Sequence, residues 1–144
     1  MIRDATEQDI PRLVAMGERF LTETVYRGRV PVDPATMART LALLVATENG
    51  TVLVSERDGV VVGMIGLLLF ENPISGELTA GELFWWVEPE HRGIGVRLLK
   101  RAEQWARRAG ARKVHMIAPT PEVGQLYDRL GYGYLEAAYQ KAIA

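Results

Sequence analysis

A glycine-rich turn separates a strand-like run from a helix-like run in Val87-Glu88-Pro89-Glu90-His91-Arg92-Gly93-Ile94-Gly95-Val96-Arg97-Leu98-Leu99. Glycines let a backbone approach a ligand closely, and the free N–H groups that open a helix favour phosphate oxygens. Arg92 and Arg97 add positive charge at the same place. The spacing is not that of a dinucleotide fingerprint, because Leu98 takes the third glycine position and no acidic residue ends the next strand at Ile117-Ala118. A Walker P-loop and a Gly-x-Ser-x-Gly nucleophile elbow are both absent. The two histidines, His91 and His115, read as loop and strand residues, so no metal site is expected. A second segment, Leu126-Tyr127-Asp128-Arg129-Leu130-Gly131-Tyr132, taken alone, reads as helix core with a glycine cap and a half-buried tyrosine.

Charge is divided along the chain. Residues 58–90 carry six acids (Asp58, Glu71, Glu77, Glu82, Glu88, Glu90) and no lysine or arginine, whereas residues 91–113 carry eight basic residues against Glu103 alone. An anionic ligand on the basic segment and a cationic one near the acidic segment would suit this division. A solvated helix face would also produce it.

The elements that must hold these residues follow from length and patterning. At 144 residues the chain is expected to be one domain spanning residues 1–144. It has no cysteine, which excludes disulfides, thiolate metal sites and a cysteine nucleophile. No signal-peptide core or membrane-length apolar run is found, so a soluble cytoplasmic protein is expected. The pattern predicts a strand over 2–5 and a helix from Ile10 towards Val25, with Thr6 or Asp9 as N-cap. A second helix is expected from Asp33-Pro34 to Asn49-Gly50. Strands over 51–56 and 60–70 flank a tight turn at Arg57-Asp58-Gly59. A loop over 71–80, a strand over 82–87, a helix over 94–109, a strand over 113–118, a helix over 121–130 and a last strand over 132–143 complete the chain. Antiparallel strands followed by a strand–helix–strand unit indicate a mixed α/β sheet.

The two segments together, with the opening Ile2-Arg3-Asp4-Ala5-Thr6-Glu7-Gln8-Asp9-Ile10-Pro11, resemble the GNAT (GCN5-related N-acetyltransferase) superfamily over nearly the whole chain. Residues 90–99 are similar to its acyl-CoA pyrophosphate loop, and residues 126–132 to its Leu-Tyr-x-x-Leu-Gly-Phe segment. Two departures stand out. The loop is about two residues short of the family pattern, and Thr120 stands seven residues before Tyr127 where the family often has Asn.

The resemblance implies an α/β (α+β) fold, with a mostly antiparallel sheet splayed around an acyl-CoA site and about four helices. It implies an acetyl-CoA co-substrate, with pyrophosphate at the loop residues Arg92, Gly93, Ile94, Gly95, Val96 and Arg97. The acyl carbonyl is expected at a backbone N–H of Trp86 or Val87. It implies direct transfer of the acetyl group to a primary amine, with Tyr127 protonating the departing thiolate. Glu82 resembles the family's base position, and Glu71 in the preceding loop is the alternative. Strand alternation over 82–87 puts Glu82 on the face of Phe84 and Trp86, and Trp85, Trp86 and Tyr26 are expected to wall the amine. A homodimer through Tyr132, Tyr134 and Tyr139 is a further expectation. Two rival readings remain at this point. A non-catalytic acyl-CoA sensor would keep the loop without needing Tyr127 or Glu82. A nucleic-acid binder would use the basic helix, but its only interleaved aromatic is Trp105, on the apolar side. Neither nucleic acid nor membrane is an expected partner.

Overall fold

The computed structural model describes residues 1–144. Five strands lie in the order β1-β2-β3-β4-β5, with β1 Ile2–Asp4, β2 Gly50–Arg57, β3 Val60–Glu71, β4 Leu78–Val87 and β5 Lys113–His115. The first three pairings are antiparallel and β4–β5 is parallel. Helices α1 (Ile10–Thr22) and α2 (Pro34–Ala46) precede β2, α3 (Gly95–Arg108) joins β4 to β5, and α4 (Pro121–Arg129) follows β5. A mixed, mostly antiparallel sheet with four helices is therefore present, as the motifs implied.

Each face of the sheet has its own core. On one, Leu13 and Met16 of α1 and Leu41 and Leu44 of α2 pack against Val52, Val54, Met64 and Trp86. On the other, Leu98, Leu99, Ala102 and Ala106 of α3 and Tyr127 of α4 pack against Leu53, Ile65, Leu67 and Val87. The β2–β3 hairpin turns at Asp58 (φ 54°) and Gly59 (φ 78°), left-handed geometry that asparagine, aspartate and glycine adopt most readily. Asp33 caps α2 by accepting from the Thr36 N–H at 3.1 Å, with Pro34 in the first helical position.

Three expectations are corrected. Residues 71 and 78–80 are strand, not loop: Glu71 pairs with Leu78, and Thr79, Ala80 and Gly81 pair with both β3 and β5. Their own propensities are weak, and pairing on both edges overrides them. Residues 132–143 form no strand and pair with none of the five. Within that segment Tyr134, Leu135, Tyr139 and Ile143 are exposed, whereas Tyr132 is partly buried and donates to Glu103 Oε2 at 2.7 Å. Finally, β5 ends at His115, before the expected Ala118.

The early end of β5 creates the splay. Only Thr79↔Lys113, Ala80↔Val114 and Gly81↔His115 pair across β4–β5, while β4 runs on to Val87 alone. A β-bulge sits at the same level. Leu67 faces Glu82 and Gly66 faces Phe84, so Leu83 is an extra residue on β4. Gly66 accommodates it, since a Cβ there would lie 2.4 Å from the Phe84 ring.

Candidate active site

The bulge reverses the phase of β4 and corrects the expected facing of Glu82. Directly paired residues share a face. Glu82 therefore points with Leu67 to the α3/α4 side, while Phe84 and Trp86 point with Met64 to the α1/α2 side.

Where the strands part, side chains replace the lost ladder. Glu82 Oε1 accepts from the Ile117 N–H at 2.8 Å, and the Tyr127 hydroxyl donates to the Ile117 carbonyl at 2.9 Å. One residue just past β5 thus gathers a carboxylate and a phenol at the mouth of the splay. Burial pushes the Glu82 carboxyl up to about 7, and the Ile117 N–H offsets only part of that effect. Burial and the nearby Glu82 charge also push the Tyr127 hydroxyl above its ordinary range, so it stays protonated at neutral pH. The C-terminal cap of α4 fixes this tyrosine: the Tyr132 N–H returns to the Tyr127 carbonyl at 3.0 Å around Gly131, whose φ is 91°. The Trp85 ring stacks on Tyr127 with centroids 6.0 Å apart and planes at 22°.

Of the two expected carbonyl-binding amides, only one faces the splay. The Glu88 N–H donates to the Val62 carbonyl at 2.8 Å, so Trp86, two residues back, also directs its N–H towards β3. Val87 therefore directs its N–H into the opening. Its carbonyl on that side takes the Arg92 Nε at 2.7 Å.

The glycine-rich segment is more tightly wound than its sequence suggests. Residues Pro89–Ile94 form two 3-10 turns, broken at His91 (φ −126°, ψ 19°), that run into α3, and the Gly95 N–H is spent on the Arg92 carbonyl. No side chain caps α3. A Cβ on Gly95 would stand 3.4 Å from Trp85 Cζ2, and Gly93 opens onto free space. Arg92 turns back over the Trp86 ring, 4.8 Å from its centroid, and Arg97 is exposed. The uncapped α3 start beside the splay, together with the open Gly93, fits an acyl-CoA phosphate group, although fewer amides are free than the residue count implied.

The expected amine wall does not assemble. Trp85 lies on the α3/α4 side, against Gly95 and Tyr127. Tyr26 and Trp86 lie on the other side, where both contact Phe20 at centroid distances of 5.1 and 6.1 Å. Glu71 is exposed at the far end of β3, four register positions (about 14 Å) from Glu82, too far for both to serve one site. No group of three or more His, Asp or Glu side chains is placed to hold a metal ion, and no helix is long and apolar enough to cross a membrane.

The Ile117 peptide is the main participant that sequence reasoning missed. It acts through backbone atoms, which side-chain patterns do not reveal. The bulge had one signal, a glycine (Gly66) inside an apolar strand run.

The sequence profile of the Acetyltransferase (GNAT) family matches residues 18–132. The chain belongs to this family. No curated protein matches it. Among solved structures, it is similar to a predicted acetyltransferase with acetyl-CoA from Clostridium acetobutylicum, with a TM-score of 0.82, 17% identity and coverage of 99% of this chain and 95% of that one. A transcriptional regulator from Bacillus halodurans C-125 superposes with a TM-score of 0.81 and 21% identity over 99% of each chain. The ribosomal-protein-alanine N-acetyltransferase of Brucella melitensis biovar Abortus 2308 gives 0.75 and 19%, over 100% of this GNAT chain and 99% of that one. At these identities the likeness establishes the fold.

Proposed function

We propose that this GNAT protein transfers an acetyl group from acetyl-CoA to a primary amine by direct attack. The observation that carries the reading is the convergence of Glu82 and Tyr127 on Ile117 at the splay. An acyl-CoA lying in the splay would have its phosphates at the start of α3 and its carbonyl on the Val87 N–H. That N–H stabilises the negative charge that develops on the carbonyl oxygen. The amine nitrogen bonds to the thioester carbon and becomes acidic, and Glu82 takes its proton directly or through a water. The C–S bond then breaks, and Tyr127 releases Ile117 to donate its proton to the thiolate. Glu82 returns the proton through solvent as Tyr127 is restored, so the products are the amide and free CoA.

A regulatory acyl-CoA sensor of the same fold is the other reading, and a structural neighbour carries the name of a transcriptional regulator. A sensor has no use for a half-buried carboxylate without a cation, which costs stability, and so we favour the enzyme. The test is release of free CoA that requires both acetyl-CoA and an added amine. Gly95→Asp, which places charge and bulk beside Trp85 at the α3 start, is expected to weaken acetyl-CoA binding at least tenfold by calorimetry. Undiminished affinity would displace the loop assignment.

A further inference from the structure

A cavity of ≈ 270 Å³ lies between α1, α2 and the sheet, on the face opposite α3. Leu13, Phe20, Met37, Leu41, Met64 and Phe84 are among the 13 residues that line it. Asp33, Thr36 and Thr40 are its only polar side chains. Asp33 is already engaged, since its carboxylate accepts from the Thr36 N–H at 3.1 Å and the Thr36 hydroxyl at 2.9 Å while capping α2. Asp33 is thus the only charged side chain in the lining. A polyamine or aminoglycoside placed there would bury further ammonium groups without partners, at a large desolvation cost.

The cavity touches β4 at Phe84. Its wall residue Phe84 is the first residue past the bulge that follows Glu82. Phe20, also in the wall, carries Tyr26 on one side and Trp86 on the other. Tyr26 in turn lies within the field of the Glu82 carboxylate. Aromatic rings therefore run from the cavity towards the splay, across which the Glu82 side chain turns to the other face of the sheet.

We propose that this cavity holds the apolar body of the acceptor, so that the substrate is a monoamine bearing an aliphatic or aromatic group. This rests on the acetyl-transfer reading above. The apolar group belongs to the amine rather than to a longer acyl chain, because the α3 start and the Trp85–Tyr127 stack lie on the opposite face of the sheet.

The test is a kcat/KM series with acetyl-CoA and methylamine, butylamine, hexylamine, 2-phenylethylamine and spermidine, followed by CoA thiol release. The expected rise is ~fourfold per added methylene until the cavity is filled, with spermidine no better than butylamine. Leu21→Trp and, separately, Val30→Phe fill the cavity from its rim. Each is expected to lower the hexylamine-to-methylamine ratio at least tenfold, with circular dichroism and melting reporting an intact fold. A flat series, a preference for spermidine, or selectivity that follows acyl length (butyryl- or hexanoyl-CoA) instead of the amine would overturn the proposal. If the wild type turns over no amine, binding of 2-phenylethylamine is measured by calorimetry. Binding that Leu21→Trp abolishes would retain the cavity assignment while the catalytic reading fails; no binding would remove both.

Discussion

Strand β4 and its exit carry two carboxylates in opposite circumstances. Glu88, 3% exposed, meets Arg19 and also Arg12 Nη2 at 3.5 Å, and so ties the end of β4 to two points of α1 about two turns apart. Arg19 is itself held by Glu23 at 2.6 Å and lies over the Trp86 ring. Glu82 has no cation, and a single backbone N–H is its only hydrogen-bond partner. Both lie in the acid-rich stretch 58–90, yet one is neutralised as part of a clamp and the other is left as a base. Glu77 is also spent, on Lys113 at 2.7 Å. The charge count of that stretch therefore overstates the field available to attract a cationic amine. What distinguishes a reactive carboxylate here is the absence of a partner.

The largest expected effect comes from removing the unpartnered acid. Glu82→Gln keeps an oxygen for the Ile117 N–H but cannot take a proton, so kcat should fall ~10²–10⁴-fold. The wild-type rate should rise with pH through about 7, and this limb should vanish in the variant. Stability should move the other way. A carboxyl whose folded pKa lies above its unfolded value of 4.5 destabilises the fold increasingly as pH rises from 4.5 to about 7, and the full cost remains above that. Glu82→Gln should therefore melt with wild type near pH 4 and gain up to ~3 kcal/mol at pH 8. An unchanged rate, or a loss of stability at pH 8, would equate Glu82 with Glu88.

Tyr127→Phe comes next, with an expected loss of ~10²-fold in kcat and little change in amine KM. Its ring, packed on Trp85, is retained. If turnover persists with the fold intact, the hydroxyl serves only to hold Ile117. In contrast, Glu88→Gln should leave the pH limb at about 7 in place and cost about 2 kcal/mol in denaturant melts. Removing one member of a buried ion pair strands the others, but Arg12 and Arg19, at 40% and 38% side-chain exposure, can rehydrate. A loss of the pH limb in this variant would mean that the clamp and the base are one unit.

The sequence showed part of this contrast. The hairpin at Asp58-Gly59, the amphipathic α3 and the Leu126–Tyr132 segment were legible because their periods and turn residues act locally. Glu82 and Tyr127 could be singled out by family resemblance, though not the peptide on which they meet. The facing of Glu82 was misread because the bulge at Leu83 is a property of register with β3, and simple alternation cannot register an inserted residue. The role of Glu88 was hidden as well, since Arg12 and Arg19 lie some seventy residues earlier in the chain and nothing local links them. Residues 132–143 show the converse failure: they read as a last strand, but a strand needs a partner and they pair with none of the five.

The smallest expected effect comes from giving Glu82 what Glu88 already has. Tyr26 lies near enough for the Glu82 charge to be one of the two influences, after burial, that hold its hydroxyl above the ordinary range. Tyr26→Lys would bring an ammonium into that neighbourhood. An opposite charge favours the ionised carboxylate, so the Glu82 pKa should fall from about 7 by roughly one unit. The sign is fixed by the same linkage: a lower folded pKa moves the rising limb of the rate profile to lower pH by that amount. It also removes ~1.4 kcal/mol of the destabilisation at pH 8. In Glu82→Gln the same lysine should shift neither profile, because no titrating partner remains for it to act upon. A double-mutant cycle in pH-dependent melting therefore isolates the pair. Coupling near zero would mean that solvent screens Tyr26 from Glu82, and the rings that run from the Phe84 cavity towards the splay would then stop short of the base.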